Sequence, residues 1–577
     1  MATAQQPENK SQRSRTVADL VEDIENLTKE IQDLYCSDQI PWVLGVSWGK
    51  DSSTTLQLVW NAIALLPQDK RTKKIHVITT DTQVENPIVS AWVRKCLQQL
   101  KSAAQAQGMP VEPHLLQPVV QDTFWVNLIG KGYPAPRNQF RWCTQRLKIN
   151  PANHFIREMV RANGETILVL GTRKAESAKR AATMEKHQMG RVRDRLSPNA
   201  SLPNSLIYTP IEDWSNNDVW IYLNQYDNPW GNSNKDLFTM YRGATADNEC
   251  PLVVDTSTPS CGDSRFGCWV CTLVNKDKSM EAMIQNDEEK EWMQPLLDIR
   301  NELDIKDDRE KRDFRRIWGE VQLFERNKDG EISVEPIPGP YTKYWREYWL
   351  RKLLAAQTQI RSTAPENMRD ITLITIEEMS EIRRIWLEEK HEFDDSLPRI
   401  YQEETGEVFR DPRPGADNSL LGSDEWAVLE EICADDGMHL ELMAKLLDTE
   451  RQFRKMARRV GIYESLEKCF VTSSRNQKQA VDYAHLTRNL KQAVAQGNIE
   501  KIKQLTLGDL AVTTTTNTDV TKTNSERTSK TQDLVATNST VNTEIVDETN
   551  DLPNSKSKAW GKKKFKNKET TPEGDSQ

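Results

Sequence analysis

Apolar and polar positions alternate with two different periods along the first half of the chain. Short apolar runs at 43–47, 74–80 and 166–172 are bounded by polar residues and have the length of single strands. Longer segments between them, such as 52–66, carry apolar residues at helical spacing. Strands that alternate with helices predict an α/β fold with a doubly wound, mostly parallel sheet over residues 39–275. Ligands bind such sheets at the carboxyl ends of the strands.

The segments on either side of this region have other patterns. Residues 1–38 start with a polar stretch and continue into a predicted amphipathic helix. Residues 276–509 are rich in charge and in helical periodicity, which predicts a mainly helical C-terminal region, with one hairpin turning at Asp329-Gly330. Residues 510–577 are rich in Thr, Ser and Asn and poor in apolar residues, so we expect a disordered polar tail.

Charge and hydropathy narrow the classes of protein that fit. The net charge is −9, yet residues 131–195 carry 15 Lys and Arg against 5 Asp and Glu. A basic segment in an acidic chain attracts phosphate, although a solvated surface would have the same composition. The sequence has no apolar run long enough to span a bilayer and no apolar secretory leader at its start. We therefore expect a cytoplasmic protein that makes no membrane contact.

Cysteine spacing adds candidate metal chemistry. The chain has nine cysteines, and three of them lie close together as Cys261, Cys268 and Cys271. In a reducing compartment such clustering indicates a metal or redox site and not disulfides. A Cys-x-x-Cys pair suits either an iron–sulfur cluster or structural zinc, and both need a fourth ligand.

The first predicted strand leads directly into a candidate phosphate loop. A tight turn with small hydroxyl groups opens a helix there, and the positive end of a helix attracts a polyphosphate. The candidate ligands of this loop are Ser47, Gly49, Lys50, Asp51, Ser52 and Ser53. Trp48 stands among them, and a side chain of that size must point away from any phosphate.

Asp81 follows the second predicted strand, in Thr79-Thr80-Asp81-Thr82. It could face a ribose, an adenine or Mg²⁺, although an ordinary helix cap is the alternative. We group Asp81 with Lys50 and Asp51 as candidate catalytic residues.

Four segments in order along the chain resemble motifs of the PAPS-reductase/PP-loop ATP pyrophosphatase superfamily. The first is the loop at 47–53, which resembles the PP-loop, Ser-Gly-Gly-x-Asp-Ser, with Trp48 in place of one of its two glycines. The others are Arg141-Trp142-Cys143 running to Leu147-Lys148, Gly171-Thr172-Arg173 running to Glu176-Ser177 and Arg180, and Pro210-Ile211-Glu212-Asp213-Trp214 with Asp218-Val219-Trp220. The resemblance implies an adenine-nucleotide α-hydrolase-like fold that binds ATP with Mg²⁺.

The same resemblance implies further site residues. The phosphates of the nucleotide or of DNA would be held by Arg141, Arg146, Lys148, Arg173 and Arg180. Gly171 and Glu176 are further candidate cofactor-binding residues. Cys143 lies inside a superfamily motif and is the expected fourth metal ligand, with Cys250 as the reserve. Proximity to a nucleotide favours a [4Fe–4S] cluster over zinc.

Within the superfamily, the chain is most similar to the DndC family of DNA phosphorothioation proteins. The PP-loop, the Arg-Trp-Cys segment, ArgPheGlyCysTrpValCys at 265–271 and the helical extension carry that similarity. It implies an ATP-dependent sulfurtransferase that activates a DNA backbone phosphate and inserts sulfur. It also implies DndD- and DndE-like partner subunits and a cysteine desulfurase as sulfur donor.

Two other functions fit the same motifs. A PP-loop tRNA thiolase also pairs ATP with an iron–sulfur cluster. A nucleotide-sensing subunit with structural zinc would need no catalysis.

Overall fold

A six-stranded sheet forms the centre of the first half of the protein, as the alternating pattern predicts. The structure is a computed structural model, and it describes residues 15–138, 140–176, 178–188, 195–244, 267–328, 331–413, 423–434, 436–454, 456, 458–473, 475–501 and 504–505. The strands of the sheet are β1 (Trp42–Gly45), β2 (Ile75–Thr80), β3 (Val111–Leu116), β4 (Thr166–Leu170), β5 (Ser197–Pro198) and β6 (Ser205–Tyr208).

The strand order is β3-β2-β1-β4-β6-β5, and only the short β5 runs antiparallel to its neighbour. Gly45 at the end of β1 lies opposite Ile78 of β2 and Leu170 of β4. The carboxyl ends of β1 and β2 therefore lie side by side, at the same end of the sheet. The predicted α/β class is confirmed, and this edge is where the polar motifs follow the strands.

Helices cover both faces of the sheet, and most of them pack on it through an apolar face. They are α1 (Val17–Cys36), α2 (Lys50–Ala64), α3 (Pro87–Ala106), α4 (Asn150–Asn163), α5 (Ala178–Gln188), α6 (Asn216–Gln225) and α7 (Asn234–Gly243). The predicted N-terminal helix is present as α1, which begins with a capping box between Thr16 and Asp19. One hydrophobic core joins α1, α2, α3, α6 and α7 to the sheet.

The C-terminal region is mainly helical, as predicted. Its elements are α8 (Lys278–Asn286), α9 (Gln294–Leu303), β7 (Leu323–Lys328), β8 (Glu331–Pro336), α10 (Lys343–Thr363), α11 (Ile376–Arg384), α12 (Ser396–Thr405), α13 (Ser423–Ile432), α14 (Gly437–Arg454), α15 (Ile462–Ser473) and α16 (Gln477–Ala495). Strands β7 and β8 pair as the predicted hairpin, while its turn residues Asp329 and Gly330 lie outside the described residues.

Short helical turns connect several of these elements. In the described residues, π-helical turns occur at Val126–Gly130, Thr144–Ile149 and Ile385–Glu389. Turns of 3₁₀ helix occur at Gln68–Lys70, Val120–Asp122, Lys174–Glu176, Glu288–Met293, Arg309–Lys311 and Glu366–Met368.

A second hydrophobic core lies beside the sheet and joins segments far apart in sequence. Trp125 and Trp142 come from the connection between β3 and β4, and Trp269 comes from the predicted cysteine cluster. They share this core with residues of α8 to α12, such as Leu350 and Ile382. Sequences on both sides of residue 275 thus pack together.

The chain separates into two compact units, Met1–Asn489 and Leu490–Gln577. The sheet, both cores and the candidate site lie in the first. In the second, the structure describes 490–501 and 504–505, which include the end of α16, and the predicted tail at 510–577 lies outside the described residues. None of the helices in the described part of the chain is both long and apolar enough to cross a membrane.

Candidate functional site

The loop after β1 is built around the first turn of α2. Gly49 is the N-cap of that helix, and the amide of Ser53 donates the first helical hydrogen bond, to the Gly49 carbonyl at 3.0 Å. The amides that precede Ser53 in the first turn have no acceptor within the helix. With the helix dipole, this turn is suited to bind an anion.

Trp48 anchors the loop to the core. Its backbone has a positive φ of 61°, which turns the indole away from the helix N-terminus into a buried position. The indole N–H donates to Thr79 Oγ1 at 2.9 Å, and the ring packs edge-on against Trp230 at 6.2 Å. The expectation that Trp48 points away from the phosphate loop is confirmed.

Asp51 balances two cations at the mouth of the loop. One carboxylate oxygen accepts from Arg173 Nε at 2.7 Å, and the other from Lys50 Nζ at 3.1 Å. Arg173 is 3% exposed and also donates to the Trp214 carbonyl, so it joins three superfamily motifs. This network fixes Asp51 and holds Lys50 beside the helix N-terminus.

Hydroxyl groups line the same turn. The Ser47 amide donates to Ser52 Oγ, and the two Ser hydroxyls lie 3.2 Å apart. The Lys50 amide donates to the hydroxyl of Tyr241 at 3.4 Å. Burial, together with the nearby Asp51 carboxylate, raises the pKa of Tyr241, so this hydroxyl stays protonated.

Gly171 lies so close to α2 that a side chain would not fit there. A Cβ at this position would lie 2.7 Å from the carbonyl oxygen of Asp51 and 2.8 Å from Thr55 Oγ1. Only glycine lets the end of β4 approach α2 this closely.

Asp81 stands just past the end of β2. Its Oδ1 accepts from the Gln83 amide at 2.9 Å and its Oδ2 from Gln117 at 3.2 Å. Because β1 and β2 are adjacent and parallel, Asp81 lies at the same sheet edge as the Ser47–Ser53 loop. It caps no helix, since Asn86 is the N-cap of α3.

Cys268 is held against the continuation of β2. Its sulfur lies 3.3 Å from Thr82 Oγ1, and the amide of the next residue, Trp269, donates to the Val84 carbonyl at 2.9 Å. A two-residue bridge between Glu85 and Cys268 completes this pairing. The cysteine segment therefore lies at the carboxyl end of β2, the strand next to the one that leads into the nucleotide loop.

The structure brings Cys143, Cys268 and Cys271 to one place around Lys148. All three thiols are half-buried. The charge of Cys268 raises the pKa of Lys148, and Glu85, Cys271 and Cys143 add to the effect. Burial raises the pKa of the Cys143 thiol, and it raises that of Cys268 to about 11. Cys261 and the reserve ligand Cys250 lie outside the described residues.

These three thiols are not drawn into a tight set. In the described parts of the chain, His76, Glu112 and His114 are the group of three possible metal ligands that converges within 4.8 Å. A tetrahedral zinc site with Zn–S bonds of about 2.3 Å needs sulfurs about 3.8 Å apart. In the described residues the three thiols are therefore not arranged as the ligands of one tetrahedral zinc ion.

Arg300 on α9 fixes the segment after Cys271. Its guanidinium is 1% exposed and donates to the carbonyls of Cys271 at 3.0 Å and Asn275 at 3.1 Å, and also to Val274. Asp304 lies 3.5 Å from it. The C-terminal helices thus position the cysteine segment directly.

The remaining predicted cofactor-binding residues have other partners. Arg146 pairs with Asp122 at 2.6 Å and lies over the Tyr133 ring, whereas Arg141 is exposed and bonds to Asn138. Glu176 accepts from the Arg173 amide at 3.0 Å. Arg180 lies on α5 with its side chain outside the described residues. The roles of all these residues in binding stay predictions.

Sequence reasoning missed Thr82, Tyr241 and Arg300. Thr82 and Tyr241 lie in no motif, and Arg300 carries no signal of its own in a charged helix. Each acts through a contact between residues more than 25 positions apart.

Comparisons with known proteins agree with this geometry at the level of the domain. Residues 41–232 match the family described as the phosphoadenosine phosphosulfate reductase domain, and all four motifs lie inside the match. This supports the PP-loop superfamily resemblance for that third of the chain. The segment with Cys268 and Cys271 lies beyond it.

A curated relative and two solved structures are also similar. An uncharacterized protein of Methanocaldococcus jannaschii is 26% identical over 193 residues, which is 33% of each chain. FMN adenylyltransferase of Candida glabrata is 10% identical over 41% of this chain and 65% of that one, with a TM-score of 0.24. The U34-tRNA thiolase NcsA of Methanococcus maripaludis, solved with its [4Fe–4S] cluster, is 11% identical over 50% and 78%, also with a TM-score of 0.24. At these scores neither structure carries its function over.

Proposed function

We propose that this chain is an ATP-using, iron–sulfur-dependent sulfurtransferase that places sulfur on the DNA backbone, as its resemblance to DndC implies. One observation carries the proposal. The Ser47–Ser53 loop follows β1, and the segment with Cys268 pairs with the chain that continues the adjacent parallel strand β2, so both lie at the carboxyl end of these two strands. A nucleotide activated in the loop would lie beside the thiols.

The first step follows from the loop. Its amides, hydroxyls and Lys50 would hold the triphosphate, and Asp51 and Asp81 offer the carboxylate oxygens that Mg²⁺ prefers. A non-bridging oxygen of a DNA phosphate attacks the α-phosphorus of ATP, the bond to the β-phosphate breaks, and pyrophosphate leaves. Lys50 neutralises charge as that bond breaks. The attacking oxygen, now carrying AMP, becomes a leaving group.

The thiols meet the chemical requirement for a cluster. Cys143, Cys268 and Cys271 are soft donors in a partly apolar shell with Trp142 and Trp269, and Cys261 would be the fourth ligand. A bound [4Fe–4S] cluster would supply the place from which sulfur, provided by a cysteine desulfurase, reaches the activated phosphorus. Lys148 stands among these thiols and would attract the DNA phosphate towards them.

DNA and protein partners are further parts of the proposal. The basic segment at 131–195 is adjacent in sequence to Cys143 and would contact the DNA backbone. DndD- and DndE-like subunits would complete the complex.

The deciding experiment is mass spectrometry of DNA digests from a host that expresses the chain with such partners. We expect phosphorothioate-linked dinucleotides with the wild-type chain and none with Cys268→Ser. Cys36→Ser, which removes an exposed thiol on α1, is the matched control and keeps the product.

Two outcomes contradict the proposal. Unmodified DNA together with new thiolated nucleosides in tRNA would identify a tRNA thiolase instead. Purified, colourless protein with zinc and no iron would favour the nucleotide-sensing subunit.

A further inference from the structure

A second group of metal-binding side chains lies on the sheet, away from the motifs. His76 is on β2, and Glu112 and His114 are on its neighbour β3. In the parallel register His76 lies opposite Glu112, and Ile78 lies opposite His114. Since side chains alternate along a strand, Glu112 and His114 share a face with His76. The three possible ligand atoms all lie within 4.8 Å of one another.

The two imidazoles are already placed as a pair. His76 Nδ1 and His114 Nε2 are 3.0 Å apart, and Glu112 Oε2 is 3.7 Å from His76 Nδ1. The ring of Phe155, on α4, packs against both imidazoles at 5.9 and 4.8 Å and fixes their planes. Burial lowers the pKa of both histidines, so each is neutral near pH 7, the form that binds metals.

We infer that His76, Glu112 and His114 bind one divalent transition-metal ion, for which Zn²⁺ is the probe. Two nitrogens bound to tetrahedral zinc at about 2.0–2.1 Å are about 3.3 Å apart, close to the spacing present. Two imidazoles and a carboxylate suit zinc and its neighbours and not Mg²⁺. Glu112 is exposed, so water can take the open coordination position. Lys74, 3.6 Å from Glu112, opposes binding and keeps the affinity moderate.

This site is separate from the nucleotide loop. His76 is the second residue of β2, whereas Asp81 follows its last residue, about 16 Å further along at about 3.3 Å per residue. β3 is the edge strand of the sheet, and it leads to Gln117, which bonds to Asp81. A metal ion would tie this edge strand to β2 and so hold the Gln117 contact in place.

The test is zinc titration of the full chain with its cluster loaded and stray metal removed. We expect one zinc per chain beyond the cluster metal, with X-ray absorption showing only nitrogen and oxygen neighbours at about 2.0–2.1 Å and no sulfur at about 2.3 Å. Zinc should also raise the melting temperature, because it binds the folded chain.

Two variants and one control test whether zinc binds to this group of side chains or to another histidine. His114→Gln and Glu112→Gln should each weaken zinc binding at least about tenfold and abolish the rise in melting temperature. Glu112 is exposed, so its variant folds regardless of any metal. His154→Gln removes an exposed imidazole on neighbouring α4 and should bind zinc as the wild type does. Equal affinity in all three variants, or sulfur around the zinc, would show that His76 and His114 form only a hydrogen bond.

Discussion

The nucleotide loop and the cysteine segment lie at the ends of neighbouring strands, yet they are stabilised in different ways. The turn of the loop is closed by local hydrogen bonds among Ser47, Gly49, Ser52 and Ser53. More distant residues, namely Thr79, Arg173 and Tyr241, bond to it from outside. The cysteine segment is held from outside by Thr82 on one side and by Arg300 on the other. A loop of the first kind can be recognised by its sequence, whereas the second kind depends on the whole fold.

The difference extends to the two hydrophobic cores. The loop rests on the core of the sheet through Trp48. The cysteine segment rests, through Trp269, on the second core, which consists largely of C-terminal helices. Changes in each core should therefore affect one half of the site more than the other.

We expect Lys50→Ala to separate the two halves of the site most clearly, by reducing ATP cleavage and leaving iron binding unchanged. The variant removes the charge that meets the triphosphate, so ATP-dependent pyrophosphate release should fall at least about 100-fold. Iron content per chain should stay at the wild-type level, because the contacts of Lys50 with the described residues are to Asp51 and Tyr241. Lys101→Ala, on the exposed face of α3, is the control and should change neither quantity. Wild-type pyrophosphate release by Lys50→Ala would rule out the loop as the ATP site.

Arg300→Met should produce the opposite result. It leaves the carbonyls of Cys271, Val274 and Asn275 without their donor, which destabilises the chain by about 1–3 kcal/mol and loosens the segment after Cys271. We expect iron content to fall severalfold, while pyrophosphate release per folded chain stays within about twofold.

The matched control for Arg300 is Arg346→Met. Arg346 is equally buried on α10 and pairs with Glu392, so its loss also destabilises the C-terminal region. Within the part of the chain that the structure describes, its guanidinium bonds to Tyr341 and Glu392, so iron binding should persist once the protein is folded. If both variants lose iron to the same extent, Arg300 acts through general stability and not by positioning.

Glu378, on α11, should make the stability of the region around the second core depend on pH. Its carboxyl is buried on α11 beside Thr375 and Thr123, and burial raises its pKa to about 7. The folded state therefore binds its proton more tightly than the unfolded state does. The stabilisation is complete below about pH 4.5 and is lost as the pH rises through 7, by up to about 3 kcal/mol.

Glu378→Gln keeps the amide oxygen for the cap and removes the charge. In urea titrations the free energy of unfolding of the variant, relative to wild type, should rise by about 2 kcal/mol between pH 5 and pH 8. Glu377→Gln, its exposed neighbour, should show no such rise. Parallel curves for wild type and Glu378→Gln would mean that the buried carboxyl does not titrate in this range.

The sequence predicted the nucleotide loop more completely than the surroundings of the cysteine segment, and the reason is physical. The alternating pattern predicted the parallel sheet. The turn at Ser47–Ser53 was also predictable, because the hydrogen bonds that close it join residues close in sequence. Cys268 and Cys271 were recognisable by spacing, but their neighbours were not. Thr82 and Arg300 contact them across many residues of sequence, and no periodicity records such contacts. His76 and His114 were missed because a histidine within a strand resembles any other buried residue until the register is known.

Trp48 offers the smallest and most specific test, since it stands where related PP-loops have glycine. Trp48→Phe keeps an aromatic ring in the core but loses the indole hydrogen bond to Thr79, so it should cost about 1–2 kcal/mol of unfolding free energy. The ring faces the core and not the loop, so the affinity for ATP should change less than about twofold. Trp92→Phe is the control, because its indole donates to the Trp48 carbonyl through a longer bond of 3.3 Å, and it should cost less. A tenfold loss of ATP affinity in Trp48→Phe alone would show instead that the indole belongs to the nucleotide site, and the local description of this half would be wrong.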